Sequence, residues 1–456
     1  MSFVGNDQPG NTLKFALIGM PNSGKSLLYN SISDPLNPQP VDDFMFSTID
    51  PAIAHFRNED ERMDWLVKVF GAATCEYLTS IITDLPGIVH NSCKGEGEGI
   101  AFLETCKKTD LLIHVIRGWD DVNLTHYNET VDPARDCDIV LKDLMMYDLI
   151  KIEERLRECY IEQDLLKYNH DAIGKTHKWE KWTLIRAWEY LVGREREEFP
   201  NKGKDRPFAP LPDTCEGISL RFGEWEPHES QFLIQMDLFT CKSMVYVLNV
   251  STREYLRGRE KYGEQLQNYI DTHGGGTMIT ISAQLEQKLL SLKHEGQSAY
   301  DLYMAANPSH KSNINALLFA CERSLQLIKF YIARRPEMYP DTETGILSPV
   351  ANEQCIVSYR CKQGTTAQDA AGLISIELSR YFNRMEMYSI DDLKDEEGNF
   401  DTLDETGKHR LQQKRYEVND GDACQMLAYD VPKDDLSEYK KSDKKKSPQK
   451  IMESNN

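Results

Sequence analysis

Long apolar runs and an excess of positive charge are both missing from this 456-residue sequence. No stretch approaches the roughly 18 consecutive apolar residues of a membrane-spanning helix, so we expect no membrane segment. The formal net charge of −20 argues against a protein that coats nucleic acid non-specifically. Residues 1–7 have neither the positively charged start nor the apolar stretch of a secretory signal, so we expect no such signal.

Cysteine occurs eleven times, but the sequence has no C-x-x-C pair. An odd number without framework spacing is typical of reduced cytosolic thiols, and we expect a cytoplasmic protein. The chain is too long for one hydrophobic core, so its length predicts roughly two to four domains.

A glycine-bounded octapeptide near the start fits the phosphate-binding loop G-x-x-x-x-G-K-[ST]. Its residues are Gly19, Met20, Pro21, Asn22, Ser23, Gly24, Lys25 and Ser26. The glycines let backbone N–H groups point at phosphate oxygens, Lys25 reaches the β- and γ-phosphates, and the Ser26 hydroxyl binds Mg²⁺. Residues 13–18 predict a buried strand before the loop, and Leu27 opens the helix after it. A chance match in a surface loop is the alternative, which these flanks disfavour.

Two further segments follow in the order that a nucleotide-dependent switch requires. Thr48 lies in a loop after the first helix, where its hydroxyl can sense Mg²⁺ and the γ-phosphate. Asp84 ends a strand-like run and is placed to hold the Mg²⁺ shell, and Gly87 can offer its N–H to the γ-phosphate. A plain strand-ending turn is the alternative interpretation of residues 84–87.

Alternating strand and helix patterns predict an α/β fold with a doubly wound, mostly parallel sheet. Further strands are predicted at 111–116, 243–248 and 277–281. A nucleotide lies across the carboxyl ends of such strands. The residues at the last two ends that are expected to frame it are Asn249, Val250, Ser282 and Ala283.

Helical patterns interrupt and follow this sheet. Apolar residues recur at helical spacing over 137–235, where Trp182 and Trp188 are expected in a helix–helix core, and helical patterning continues to about Ile332. From Asn352 a β-grasp module is predicted. Its elements are a strand at 356–359, a helix at 367–382, and a hairpin of 415–418 with 423–428.

Taken together, these stretches resemble the Obg-like ATPases, the YchF subfamily of the Obg-related P-loop GTPases. The resemblance extends over nearly the whole chain, and the stretches that carry it are 19–26, 46–51, 101–103, 131–136 and 363–372. It implies a P-loop G domain in two parts, an inserted helical domain and a C-terminal β-grasp domain of the TGS type. The predicted bounds are 1–136 and 237–345 for the G domain, 137–236 for the insertion, 350–432 for the TGS-like domain, and 433–456 for a disordered lysine-rich tail.

The resemblance also implies Mg²⁺-dependent hydrolysis of ATP or GTP in translation control or the stress response. The implied partner is the ribosome, through its large subunit or its RNA, and we expect a cytoplasmic monomer or weak homodimer. P-loop GTPases place a catalytic glutamine after D-x-x-G, whereas this subfamily has a hydrophobic residue there, and here it is Ile88. His126 falls where the family has a candidate catalytic histidine, with an ordinary surface histidine as the alternative. Because Ile88 cannot orient water, we expect slow turnover.

The base-recognition motif departs from both known patterns. GTPases use N-K-x-D, whose Asp accepts hydrogen bonds from N1–H and the amino group of guanine, and the family variant N-x-x-E is associated with ATP. Here the motif ends at Thr252, which cannot make the paired contact. A site without that acceptor loses its strong discrimination, so we expect ATP to bind at least as well as GTP.

Two functions remain open at this point. A Mg²⁺-dependent nucleoside triphosphatase switch is favoured by the intact set Lys25, Ser26, Thr48 and Asp84. A ribosome- or RNA-binding interaction protein with a structural, poorly hydrolysed nucleotide is favoured by Ile88, Thr252 and Ala52, the last standing where family members usually have Asn.

Overall fold

The computed structural model divides the chain into two compact units, and it describes most of each. The units are Met1–Glu59 with Leu78–Gln326, and Asp60–Tyr77 with Leu327–Asn456. The described residues are 12–34, 52–89 except 71 and 73, 107–121, 130–166, 176–196, 211–334 except 259, 338–340, 347–349, 355–389 and 410–428.

The strands of the described residues belong to two six-stranded sheets and one two-stranded sheet. In chain order they are β1 (Leu13–Ile18), β2 (Ala52–Arg57), β3 (Thr74–Glu76), β4 (Thr79–Asp84), β5 (Leu111–Arg117), β6 (Ser243–Asn249), β7 (Thr277–Ile281), β8 (Leu327–Arg334), β9 (Met338–Pro340), β10 (Leu347–Pro349), β11 (Cys355–Lys362), β12 (Phe382–Ser389), β13 (Arg410–Gln412) and β14 (Asp422–Ala428).

The helices lie between these strands, and within the described part of the chain none is long and apolar enough to cross a membrane. In chain order they are α1 (Lys25–Ser33), α2 (Glu61–Val69), α3 (Pro133–Leu166), α4 (Thr176–Val192), α5 (Pro227–Gln235), α6 (Thr252–Arg257), α7 (Gly263–Thr272), α8 (Ala283–Glu295), α9 (Gln297–Ala306), α10 (Ile314–Ser324), α11 (Ala367–Ile374) and α12 (Ile376–Arg380).

The sheet of the first unit has the strand order β2-β4-β1-β5-β6-β7. All neighbouring pairs are parallel except β2 with β4, which is antiparallel at the edge. Residues 13–18 of β1 are buried except Lys14, as a parallel strand covered on both faces requires. The predicted doubly wound, mostly parallel sheet is therefore confirmed, and the carboxyl ends of β4, β1, β5, β6 and β7 form one row.

The inserted helices α3 and α4 share a hydrophobic core with this sheet. Leu149 of α3 and Leu184 of α4 belong to the same buried cluster as Ile116 of β5. Trp188 lies in this cluster, but Trp182 is 57% exposed, so its predicted core position is wrong. Six residues at 100° each place the two tryptophans about 120° apart around the helix, and one face cannot bury both.

The second unit contains a sheet of order β13-β12-β14-β8-β11-β3 with helices on both faces. Successive residues of a strand point to opposite faces. Accordingly, Phe330 packs in a cluster with Ala370 of α11, whereas its neighbour Tyr331 packs in another with Leu66 of α2. The segment Asp60–Tyr77, predicted to lie in the first part of the G domain, thus supplies a helix and a strand to this unit.

Asp60 holds this segment in place. Its side chain caps α2 by accepting a hydrogen bond from Arg62 N (3.1 Å), and it also accepts from the Tyr331 hydroxyl (2.7 Å). Arg62 and the ammonium of Lys329 outweigh the effect of burial and lower the pKa of the Asp60 carboxyl. A segment far away in sequence is therefore fixed to β8 by a partly buried, charge-paired carboxylate.

Three secondary-structure predictions in the C-terminal region are wrong. Residues 327–334 form β8, not the end of a helix, because the apolar run in 327–332 is too short to distinguish the two. The predicted helix 367–382 is broken at Ser375, whose φ of −158° is extended. Strand β14 lies between β12 and β8, and residues 415–418 contribute only an isolated bridge from Glu417 to Thr366, so they form no hairpin with it.

Candidate functional site

Residues 19–24 of the octapeptide connect β1 to α1, and Lys25 and Ser26 begin the helix. Gly19 and Gly24 have φ of +148° and +92°. A Cβ at Gly24 would lie 2.2 Å from Asn249 Nδ2, so this position admits no side chain. Gly24 is also the N-cap of α1 and gives it no side-chain cap. No side chain of the N-cap residue therefore competes for the first N–H groups of the helix, and a helix N-terminus attracts anions.

Lys25 places a buried ammonium group inside this loop. Its Nζ donates hydrogen bonds to the carbonyl oxygens of Gly19 (3.2 Å) and Met20 (2.9 Å). Burial lowers the pKa of Lys25 to about 8, and the carboxylate of Asp84 opposes this decrease. The ammonium group is thus held by neutral carbonyl oxygens. A bound anion would bind it more strongly and displace them.

Asp84 lies at the carboxyl end of β4, where its backbone pairs with Leu17 of β1. Its side chain is fully buried, and burial raises the pKa of this carboxyl, while the positive charge of Lys25 opposes the rise. Among the described residues, neither carboxylate oxygen has a hydrogen-bond partner. A buried carboxylate is costly without compensation. Asp84 and Ser26 are hard oxygen donors, so the residues present fit a Mg²⁺ ion.

The segment after Asp84 packs directly on the phosphate-binding loop. Ile88 N donates to Gly19 O (3.0 Å), and a Cβ at Gly87 would lie 2.6 Å from Pro21 N. The Ile88 side chain is buried in the hydrophobic core with Leu85. Gly87 therefore lies against the loop, and the residue that follows it offers no polar group to a water molecule.

Asn249 connects the loop to the other end of the row of strands. Its Nδ2 donates to Ser23 O (3.0 Å), and its Oδ1 accepts from Ala283 N (3.0 Å). The backbone of Val250 donates to Ile281 O (2.8 Å). One buried side chain thus fixes the distance between the phosphate-binding loop and the ends of β6 and β7.

A chain of hydroxyl groups lies at these strand ends. Ser282 caps α8 by accepting from Leu285 N (3.4 Å), and its Oγ lies 3.1 Å from Thr252 Oγ1. Thr252 Oγ1 in turn donates to Oε1 of Gln284 (3.2 Å). Sequence reasoning did not single out Gln284, although its position directly after Ser282-Ala283 is a signal that could have found it.

Trp119 is a second residue that sequence reasoning missed. Its indole Cη2 would lie 3.8 Å from a Cβ at Gly24, so the ring is adjacent to the loop. The Arg117 guanidinium lies 4.9 Å from the centroid of the indole, and its Nε donates to Trp119 O (3.1 Å). Trp119 comes just after the buried strand β5, which lies beside β1 in the sheet. This position could have indicated that it lies near the loop.

The structure brings most of the predicted site residues together and leaves two undescribed. The residues placed around the loop and the neighbouring strand ends are Gly19, Met20, Pro21, Asn22, Ser23, Gly24, Lys25, Ser26, Leu27, Asp84, Gly87, Asn249, Val250, Ser282 and Ala283. Thr48 and His126 lie outside the described residues. Their predicted roles stay predictions.

Two protein families match the chain, one in each half of the sequence. A family model described as a 50S ribosome-binding GTPase matches residues 14–143. A model of the C-terminal domain of YchF GTPases, described as a protein of unknown function, matches residues 350–428.

Individual relatives match over nearly the full length of both chains. The Obg-like ATPase 1 of Oryza sativa subsp. japonica is 28% identical over 410 residues, 90% of each chain. That of Caenorhabditis elegans is 28% identical over 414 residues, 91% of each chain. Among solved structures, the Schizosaccharomyces pombe YchF GTPase has a TM-score of 0.66 at 24% identity, and the match covers 92% of this chain and 98% of that one.

The sheet order, the glycine-bounded loop and these matches define the fold of the P-loop GTPases. Two further findings bear on the family: relatives match over nine-tenths of the chain, and the C-terminal family model matches its last part. They confirm the resemblance to the Obg-like ATPases, the YchF subfamily of the Obg-related P-loop GTPases.

Proposed function

We propose that this protein is a Mg²⁺-dependent nucleoside triphosphatase that uses ATP at least as well as GTP and acts as a ribosome-associated switch. The observation that carries the proposal is the buried pair of Lys25 and Asp84, which flanks an uncapped helix start. This combination of a cation, a carboxylate and a helix N-terminus suits a triphosphate with its metal ion.

Each group at the phosphate end of the site, defined as Lys25, Ser26 and Asp84, has a separate role. Lys25 neutralises the β- and γ-phosphates, and its buried ammonium needs little reorganisation to do so. Ser26 and Asp84 would hold Mg²⁺, which stabilises the charge that develops on the phosphate oxygens. Thr48 would complete the metal site, and the N–H of Gly87 would sense the γ-phosphate.

Turnover is proposed to be slow. The buried Ile88 side chain offers no hydrogen bond with which to orient an attacking water. His126 is the candidate that would supply this group. Hydrolysis then depends mainly on the charges at the phosphate end, which supports a switch that stays in one state for long periods.

The base end of the site, defined as Asn249, Thr252, Ser282 and Gln284, supports acceptance of ATP. Every one of these side chains is uncharged, so the paired acceptor that guanine requires is absent from this group. Trp119 offers an aromatic face next to Gly24, on which either purine can stack.

The partner and the domain organisation are part of the same proposal. The family that matches residues 14–143 is described as ribosome-binding, which supports a cytoplasmic protein that contacts the large ribosomal subunit or its RNA. We retain the predicted domains, with a TGS-like domain at 350–432, but assign Asp60–Tyr77 to the second unit. A monomer or weak homodimer stays the expected state.

Nucleotide binding and phosphate release by the full-length chain test the proposal. With Mg²⁺, we expect micromolar ATP binding, GTP binding that is no tighter, and slow phosphate release. The Lys25→Ala variant should release no phosphate above background. GTP binding tenfold tighter than ATP binding, or turnover that survives in the variant, would contradict the proposal.

The buried Ile88 also favours a second candidate, a ribosome-binding protein whose nucleotide is structural. Sedimentation with ribosomes separates the two. A switch should bind ribosomes differently with a non-hydrolysable ATP analogue than with ADP, and Lys25→Ala should abolish the difference. Equal ribosome binding in all nucleotide states and in the variant would favour the structural role.

A further inference from the structure

The base end of the site has a defined hydrogen-bond direction. The backbone N–H of Leu285 can only donate, so the Ser282 Oγ that it contacts accepts. Ser282 is then free to donate its own proton to Thr252 Oγ1, 3.1 Å away. Thr252 in turn donates to Oε1 of Gln284. The direction is thus set by Thr252, because its single hydroxyl proton goes to Gln284 and it can only accept from Ser282.

This direction determines which group Gln284 presents to a ligand. Because Oε1 accepts from Thr252, the amide group at Nε2 is the part of the side chain that faces other partners, and it can only donate. Gln284 is exposed, whereas Ser282 is buried. The chain of hydrogen bonds therefore begins at the backbone N–H of Leu285 and ends at the exposed Nε2 of Gln284, which is a donor.

The position of this donor connects it with the Watson–Crick edge of a purine. In N-K-x-D GTPases the fourth residue, an acid, accepts from guanine N1–H and the 2-amino group. Thr252 holds that fourth position here, and its hydroxyl is bonded to Gln284. Asn249, the first residue of the same motif, ties this region to the phosphate-binding loop through Ser23.

We propose that Gln284 is a specificity-determining residue that donates a hydrogen bond from Nε2 to N1 of adenine. Adenine has an acceptor at position 1, whereas guanine has an N–H there, so a donor matches the first base and opposes the second. The chain of hydrogen bonds from Leu285 to Gln284 therefore presents a donor to the base, where the acid of N-K-x-D presents an acceptor. The inference rests on the proposed function and goes beyond it, because it assigns an active preference for ATP to one side chain.

Nucleotide analogues test this contact in the unmodified protein. Binding of ATP, 1-deaza-ATP and ITP to the full-length chain with Mg²⁺ is measured by calorimetry. The analogue 1-deaza-ATP lacks the N1 acceptor, and ITP has the N1–H of guanine without its 2-amino group. Both should bind about tenfold more weakly than ATP, the value of one hydrogen bond lost or opposed. Equal binding of ATP and 1-deaza-ATP would overturn the inference.

Substitution of Gln284 provides the second test. Gln284→Glu turns the donor into an acceptor, so ATP should bind about tenfold more weakly and GTP more tightly. Gln287→Glu is the matched control, since it adds the same charge to an exposed glutamine of α8 and should leave both affinities unchanged. If both variants change the ATP to GTP ratio alike, charge alone acts and the inference fails. Failure of the unmodified protein to bind either nucleotide would instead overturn the proposed function itself.

Discussion

The phosphate end and the base end of the site differ in how their polar groups are stabilised. Lys25 and Asp84 are buried, charged and shifted in pKa, whereas Thr252 and Gln284 are neutral and reach the surface. Buried charges give large interaction energies, because the surroundings screen them little. Neutral hydrogen bonds contribute less but discriminate between similar ligands. The comparison indicates that one end supplies affinity and the other end supplies selectivity.

Removal of the buried cation should have the largest effect on this division. Lys25→Ala should lower phosphate release roughly 100-fold or more, because a preorganised charge is lost from the phosphates. Affinities for ATP and GTP should fall by the same factor, which calorimetry measures. Lys14→Ala, at an exposed position of β1, is the control and should change neither quantity. Unequal losses for the two nucleotides would show that the phosphate end also selects the base.

Gly24→Ala should disturb both ends at once. The new Cβ would meet Asn249 Nδ2, which joins the loop to the base end, so both affinities should fall about tenfold. Gly275→Ala is the matched control, because Gly275 also has a positive φ (+81°) but no atom within 4 Å of its Cβ. That control should lower stability by about 1 kcal/mol in thermal unfolding and leave nucleotide affinity unchanged. A variant at Gly24 that binds normally would show that Asn249 can move without effect.

The pH dependence of ATP affinity should report the phosphate end alone. Burial lowers the pKa of Lys25 to about 8 in the free protein, and bound phosphate should raise it, since opposite charges favour the protonated form. Affinity should therefore be steady from pH 7 to 8 and fall above it by up to about tenfold per pH unit. Lys25→Met should bind weakly and show no such fall in calorimetry over pH 7–10. If ATP affinity still falls above pH 8 in Lys25→Met, a group other than Lys25 causes the pH dependence.

Truncation of the indole should have the smallest effect. Trp119→Ala should lower the affinities for ATP and for GTP about fivefold each, because purines stack on an aromatic face whatever their hydrogen-bonding edges. Trp119→Phe should restore most of this loss. Trp182→Ala, which removes an exposed tryptophan from α4, is the control and should have no effect. A change in the ATP to GTP ratio with Trp119→Ala would show that the ring also reads the base.

The phosphate end was predictable from sequence because its parts are nearly contiguous. Residues 19–26 form one loop and the start of the helix that follows it, and the preceding apolar run specifies the strand that positions them. Asp84 required only one more strand, recognised by its buried run and the turn that follows. In such local motifs, residue type and spacing are enough to indicate both structure and chemistry.

The base end was only partly predictable, because three strands meet there. Asn249 and Ser282 follow predicted strands, but the contact of Thr252 with Gln284 joins positions 32 residues apart. Trp119 reaches Gly24 from a third strand. Sequence spacing carries no information on such contacts, since strand order decides which ends are neighbours.

The sequence by itself determined the phosphate-binding loop, the alternation of strands and helices, and the family that the chain resembles. Only the tertiary structure decided that Asp60–Tyr77 joins the second unit and that residues 327–334 are a strand. Both results depend on partners distant in sequence, such as the contact between Asp60 and Tyr331. A short segment takes the structure that buries its apolar face against those partners, and its own propensity is too weak to oppose them.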